Sequence, residues 1–190
     1  MKVLLIGAGG HARNVCEILA MTGCSVYGYV APHASAWLQE PHLADDEAAD
    51  GAPAEVGVAL GIGGTTSDQL RNRLALLDRH AHREAPALVH PRAVVSASAD
   101  IAGGAQIMAG AVLQAACTIG RGAIVNTGGI VEHDSRIGMG AHVAPGAIVL
   151  GGVTVGDFAM IGSGAILLPG AKVPAGMLVA AGTRFPESLS

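Results

Sequence analysis

In the stretch NTGGIVEHDSRIGMGAHVAPGA (residues 126–147), His133 stands between two acids, Glu132 and Asp134, and a second histidine, His142, follows nine residues on. A neutral imidazole takes up a proton near pH 7. A carboxylate bonded to one ring nitrogen sets the tautomer and steadies the imidazolium. The other nitrogen is then left to deprotonate an amine or hydroxyl attacking a carbonyl carbon. Either Asp134 or Glu132 can be that carboxylate. His142, Asn126 or a backbone N–H can receive the carbonyl oxygen as negative charge grows on it. His133 is thus the candidate general base, with Asp134 the candidate acid beside it.

Such a group needs a rigid mount, and the surrounding chain has a period that provides one. From Val89 to Val179 every sixth residue is Val, Ile or Leu, sixteen positions without a gap. Two residues before each, the side chain is nearly always small, as at Ala105, Ala111, Cys117 and Ala123. Glycine recurs just after the aliphatic residue at Gly120, Gly138, Gly156 and Gly162, where it is read as supplying unusual φ. This is the hexapeptide signature of a parallel β-helix, with three hexads to a triangular coil. Just over five coils, about 4.8 Å apart, make a prism about 25 Å tall. No inserted loop is expected between residues 89 and 179. In this phase Asn126, His133, Asp134 and His142 lie off the inward wall, at corners and outer faces where a neighbouring subunit can meet them. Cys117 falls in a small-residue slot of the core, which argues against it as a nucleophile.

Residues 1–85 read differently. KVLLIG is a buried strand, GAGG (Gly7 to Gly10) a tight turn, HARNVCEILAMTG a helix, and SVYGYV a second strand. EVGVALGIGG reads as a third strand ending in glycines, and TTSDQLRNRLALLDRHA as a capped helix with Leu70, Leu74 and Leu77 on one face. The expected unit is a small Rossmann-like βαβαβ domain joined directly to the prism at residue 86. Its glycine turn sets backbone N–H groups at a helix N-terminus, where they can hold phosphate. Ala12 stands where the last glycine of G-x-G-x-x-G would be, and Ala31-Pro32 replace the acid that would bind a ribose. NAD is therefore disfavoured, while a phosphate-bearing ligand fits.

Composition narrows the classes. The chain has 190 residues, is 51% hydrophobic but only 3% aromatic, and holds 28 glycines, so its bulk comes from small aliphatic side chains stacked repetitively. Net charge is -4 with no Lys/Arg cluster, which argues against nucleic acid or an anionic membrane as partner. Cys16, Cys24 and Cys117 have no metal-type spacing and are read as reduced and buried, as in a cytoplasm. The histidines lack the H-x-x-x-x-H pair that γ-class carbonic anhydrases use on a similar prism, so no metal is expected.

GAGGHAR at the N-terminus, a short α/β domain, then hexads carrying N-T-x-x-x-x-E-H-D and H-V-x-x-G-A together resemble the bacterial nucleotide-amino-sugar acetyltransferases, often grouped with sialic acid O-acetyltransferases. The resemblance covers nearly the whole chain. It implies a left-handed β-helix acyltransferase domain over residues 86–190 and a homotrimer with active sites between subunits. Acetyl-CoA is the implied co-substrate and a UDP-4-amino sugar the implied acceptor. A hydroxyl on a sugar, or an acceptor without a nucleotide, is the near alternative, and a non-catalytic trimeric scaffold the distant one. By position, the resemblance makes His133 the base and Asp134 its acid, and puts acetyl-CoA against His142, Asn126, Gly151, Ser163 and Ala181. Gly9, Gly10, His11 and Gly61 fall where the acceptor is held. Three departures stand out: Ala31-Pro32 in place of an Asp pair, Ile62 in place of Asn, and the tail AAGTRFPESLS in place of G-V-P-A-K, which bears on adenine contacts.

Overall fold

A computed structural model describes residues 1–186, and residues 187–190 of the C-terminal tail lie outside them. The hexads become seventeen two-residue rungs, from Leu88–Val89 to Arg184–Phe185. Each rung pairs in parallel with the one eighteen residues on, so that Val89, Ile107, Val125, Val143, Ile161 and Val179 stack in one column. Three sheets of six, six and five rungs close a left-handed parallel β-helix of about five turns. The inward residues and the small residues before them form one apolar core, including Ala105, Cys117, Val131, Val149 and Leu167. Phe185 extends the inward column past the last aliphatic hexad.

The glycine expectation needs correcting. Gly120, Gly138, Gly156 and Gly162 are not in the left-handed region. That conformation falls three residues after the inward aliphatic, at glycines such as Gly104, Gly128 and Gly152 (φ 71°, 64° and 69°). Gly120 and its equivalents answer to a different demand, close approach. A Cβ on Gly156 would stand 2.4 Å from Ala175 N, and one on Gly138 would stand 2.6 Å from Asp157 N. Coils spaced at about 4.8 Å leave no room there for a side chain.

The residue before each inward aliphatic points outward, so the prism has three distinct faces. One carries Leu88, Gln106, Ile124, His142 and Met160, all buried. The second carries Asp100, Thr118, Arg136, Thr154 and Lys172, which meet solvent. The third is aliphatic and uncovered: Val94 is exposed, and Val112, Ile130, Ile148 and Ile166 are half-buried.

The first face is covered by an α/β unit: β1 (Lys2–Ile6), α1 (Gly10–Met21), β2 (Ser25–Val30), β3 (His42–Leu43), α2 (Asp46–Asp50), β4 (Gly57–Leu60) and α3 (Ser67–Arg79). Its sheet is parallel, in the order β3-β2-β1-β4. β1 and β4 are near-continuous apolar runs, as expected of parallel strands covered on both faces. The βαβαβ expectation thus lacked one edge strand, while α2 is the short helix read within the polar run PHLADDEAADGAPAE. β3 is only two residues long, too short for a periodic signal, and is held by Tyr29 N donating to Pro41 O (3.0 Å) and by the His42 ring stacked 5.1 Å from Tyr29. Thr66 caps α3 by accepting from Gln69 N, and Asp45 caps α2 by accepting from Ala48 N.

Val15, Ile18 and Leu19 of α1 pack on Leu88, Met108 and Ile124 of the prism, and Leu70 of α3 packs on Ala144 and Met160. Between α3 and the first rung, buried Arg83 donates to the carbonyls of Ala49, Ala52, Pro53 and Val56, pinning the α2 turn. Of the cysteines only Cys117 is fully buried. Cys16 and Cys24 are half-buried, lining a cavity with Trp37 and Leu38 beside α1 and β2.

Candidate functional site

His133 and Asp134 form the turn that follows the rung Ile130–Val131, at the corner between the aliphatic and the solvent faces. The backbone there is tied to both neighbouring coils. Asp134 N donates to Ala115 O (3.1 Å) and Gly152 N donates to His133 O (2.9 Å). Asp134 occupies the left-handed slot with φ 59°, where most coils use glycine. Aspartate tolerates that region better than most side chains. Its Oδ2 accepts the His133 Nδ1–H at 2.8 Å, so Asp134 rather than Glu132 orients the ring. Both side chains are about two-thirds exposed, at 65% and 68%. Among the described residues Nε2 has no hydrogen-bond partner, and it lies over Gly151, one coil on.

His142 is placed otherwise than expected. It is outward-facing but buried, 6% exposed, beneath the α/β unit. Its Nδ1–H donates to Gly64 O (2.7 Å), and its Nε2 accepts from Asn126 Nδ2 (3.0 Å). Burial lowers its pKa, the bond to Gly64 opposes this, and nearby Arg73 adds to the lowering. His142 is therefore neutral, with both nitrogens engaged. The two histidines are not equivalent: His133 stands at an exposed corner, whereas His142 lies on the covered face of the prism. Asn126, Ser163 and Ala181 border the corner after the buried face, and Gly151 shares the His133 corner.

The turn between β1 and α1 is open on its outer side. Gly9 and Gly10 are exposed, and a Cβ on either would meet nothing within 4 Å. Gly9 precedes a helix with no side-chain cap and no acid in its first turn, so its leading N–H groups are free to meet an anion. Gly61 is buried under this turn: a Cβ there would stand 2.6 Å from Gly7 O and 2.9 Å from Ala12 Cβ. A cavity of about 340 Å³ opens at the carboxyl ends of β1, β2 and β4, lined by Ile6, Val30, Ala31 and Ile62. Asp45 and Asp46 face into it from the start of α2, acids that the reading of Ala31-Pro32 did not anticipate.

A buried polar network joins the two parts. Gln106, on the covered prism face, accepts from His11 Nε2–H (2.7 Å) and from Arg73 Nη2 (2.8 Å), and donates to Leu60 O (2.7 Å). Arg73 also donates to Ile62 O (2.8 Å) and to Gly122 O. Burial holds its pKa down to about 10. Burial also pushes His11 down to about 4, against the raising effect of its bond to Gln106 and helped by the charge of Arg73. A neutral His11 turned toward the prism offers an anion its backbone N–H, not its ring. Gln106 and Arg73 were missed by sequence reasoning. The available signals were a polar residue among Leu88, Ile124 and Met160 at the same phase, and an arginine inside the Leu70–Leu74–Leu77 stripe.

Chemically, the His133 corner offers an oriented base with a free nitrogen, and the covered face offers neutral hydrogen-bonding groups beside an anion-ready helix end. No protein-family model and no curated protein sequence matches the chain. Solved structures do. The acetyltransferase domain of PglB from Neisseria gonorrhoeae FA1090, in complex with acetyl coenzyme A, is 30% identical with a TM-score of 0.87, over 95% of this chain and 88% of that one. A mutant of perosamine N-acetyltransferase from Caulobacter crescentus, in complex with CoA and GDP-perosamine, is 35% identical with a TM-score of 0.86, over 100% and 90%. PerB from Caulobacter crescentus, with the same two ligands, is 34% identical with a TM-score of 0.85, over 100% and 90%.

Proposed function

The chain belongs to the bacterial sugar N-acetyltransferases built on hexapeptide repeats and is an acyltransferase; from that premise we propose that it transfers acetyl from acetyl-CoA to the amino group of a nucleotide-linked amino sugar. The observation that carries this is the His133–Asp134 pair: Nδ1–H is held at 2.8 Å by Asp134 while Nε2 is free at an exposed corner. The amine nitrogen attacks the thioester carbonyl carbon, and His133 Nε2 takes the N–H proton. The tetrahedral intermediate collapses, the C–S bond breaks, and the CoA thiolate leaves to be protonated by the imidazolium. No acyl-enzyme is required.

The acceptor's diphosphate would lie on the Gly9–Gly10 end of α1, with its base in the cavity at the strand ends. The expectation of a UDP sugar is widened here to include GDP, because the two Caulobacter structures hold GDP-perosamine. We read the active protein as a homotrimer. The uncovered aliphatic face from Val94 to Ile166 supplies an apolar surface for a second copy. His133 and the Asn126–Ser163–Ala181 corner lie on opposite edges of that face. Packing it around a three-fold axis would bring one subunit's base to the next subunit's acetyl-CoA corner.

The test is thiol release from acetyl-CoA with UDP- and GDP-linked 4-amino sugars, and with hydroxy sugars alongside. Turnover with an amino sugar is expected, falling about 10²–10⁴-fold in His133→Ala. Unchanged turnover in that variant would remove His133 as the base. Transfer to hydroxyls alone would move the assignment to O-acetylation.

A further inference from the structure

We infer that Gly151 is a positioning residue for His133: its missing side chain is the seat of the imidazole, and this sets where Nε2 points. The inference rests on the reading of His133 as the base. An ideal Cβ on Gly151 would stand 2.6 Å from His133 Nε2, 2.8 Å from Cε1 and 3.3 Å from Cδ2. The Nε2 end of the ring therefore lies against the next coil, with its reactive nitrogen nearest the glycine.

The coil itself does not ask for glycine here. Gly151 is outside the left-handed region. Its equivalents in the coils below and above His133 and itself are Ala115 and Pro169, so the same corner position carries a Cβ elsewhere. Glycine is required at this one level because a histidine ring occupies the space. The backbone cannot yield easily: Gly170 N donates to Gly151 O (3.0 Å) and Gly152 N donates to His133 O (2.9 Å). The ring can yield, being an exposed side chain, and it would have to retreat by about 0.8 Å to regain ordinary contact. That motion pulls against the bond from Nδ1–H to Asp134. Gly151→Ala should therefore leave the fold alone and displace the base.

The full-length protein is compared with Gly151→Ala by three measurements: melting temperature, long-range ¹H–¹⁵N spectra of the His133 ring, and kcat with both KM values across pH. The melting temperature is expected to hold, the His133 ring signals to move, and kcat to fall about 10- to 100-fold, the effect of misplacing a reacting group by about 1 Å. The KM values should stay within about two-fold, and the pH profile should shift. Calorimetric CoA affinity in a His133→Asn background separates this from a direct contact between Gly151 and the co-substrate. No change in CoA affinity on adding Gly151→Ala supports positioning, while a loss there overturns it. Unaltered His133 ring signals also overturn it, whether or not the parent protein transfers acetyl. Absence of transfer by the parent would instead count against the proposed function.

Discussion

Replacing Asp134 with glycine separates what the residue does for the coil from what it does for His133. Asp134 sits at φ 59°, the slot where Gly128, Gly140 and Gly152 stand in neighbouring hexads. A left-handed conformation costs an L-residue about 1–2 kcal/mol, with aspartate toward the lower end. Glycine removes that cost but adds back about 0.5–1 kcal/mol of unfolded-chain entropy. The hydrogen bond lost with Asp134 is two-thirds exposed on both sides, and such exposed contacts contribute about 0–1 kcal/mol. The sum lies within about 1 kcal/mol of zero in either direction, so the melting temperature should stay within about 2–4 °C of the parent. Turnover should fall, because Nδ1–H loses its 2.8 Å acceptor and the imidazolium its counter-charge. A loss of about 10- to 100-fold in kcat is expected, with Asp134→Asn, which keeps an acceptor without charge, in between. Differential scanning fluorimetry and thiol release on the same preparations decide it. A melting temperature lowered by several degrees with kcat intact would mean that Asp134 serves the coil and the base reading is wrong.

Other outcomes follow from the same geometry. Gly156→Ala places a Cβ 2.4 Å from Ala175 N, a backbone atom that cannot swing aside, and should cost about 1–3 kcal/mol in denaturant titration. Arg83→Ala leaves the carbonyls of Ala49, Ala52, Pro53 and Val56 without their donor, and should cost about 2–4 kcal/mol with loss of amide-exchange protection around α2. His11 has a folded pKa of about 4 against an ordinary 6.5. Below pH 6.5 the unfolded chain takes up a proton that the folded chain refuses, so its contribution is whole above pH 6.5 and is lost as pH falls toward 4. The slope from this one group approaches about 1.4 kcal/mol per pH unit. His142, lowered for the same reason, acts in the same direction. Denaturant midpoints measured from pH 7 to 4 should show the decline, and His11→Asn should flatten it.

The aliphatic phase of sixteen positions was enough to determine the prism, because a coil of three hexads returns every sixth residue to the same wall eighteen residues later. It also determined that Asn126, His133, Asp134 and His142 stand off that wall, and the glycine turn and the capped helix α3 were legible from local chemistry alone. The period says inward or outward, but it does not say which outward face will be covered. That was decided by α1 and α3 docking on one face, which buried His142 against Gly64 and drew Gln106, Arg73 and His11 into one network. Nor does it resolve a corner. Whether Glu132 or Asp134 reaches His133 depends on the left-handed turn at Asp134. That Gly151 lies under the ring depends on a contact between residues eighteen apart, set by the rise of one coil. Local sequence carries the repeat, while contacts across coils and between the two parts of the chain determine where each polar group points.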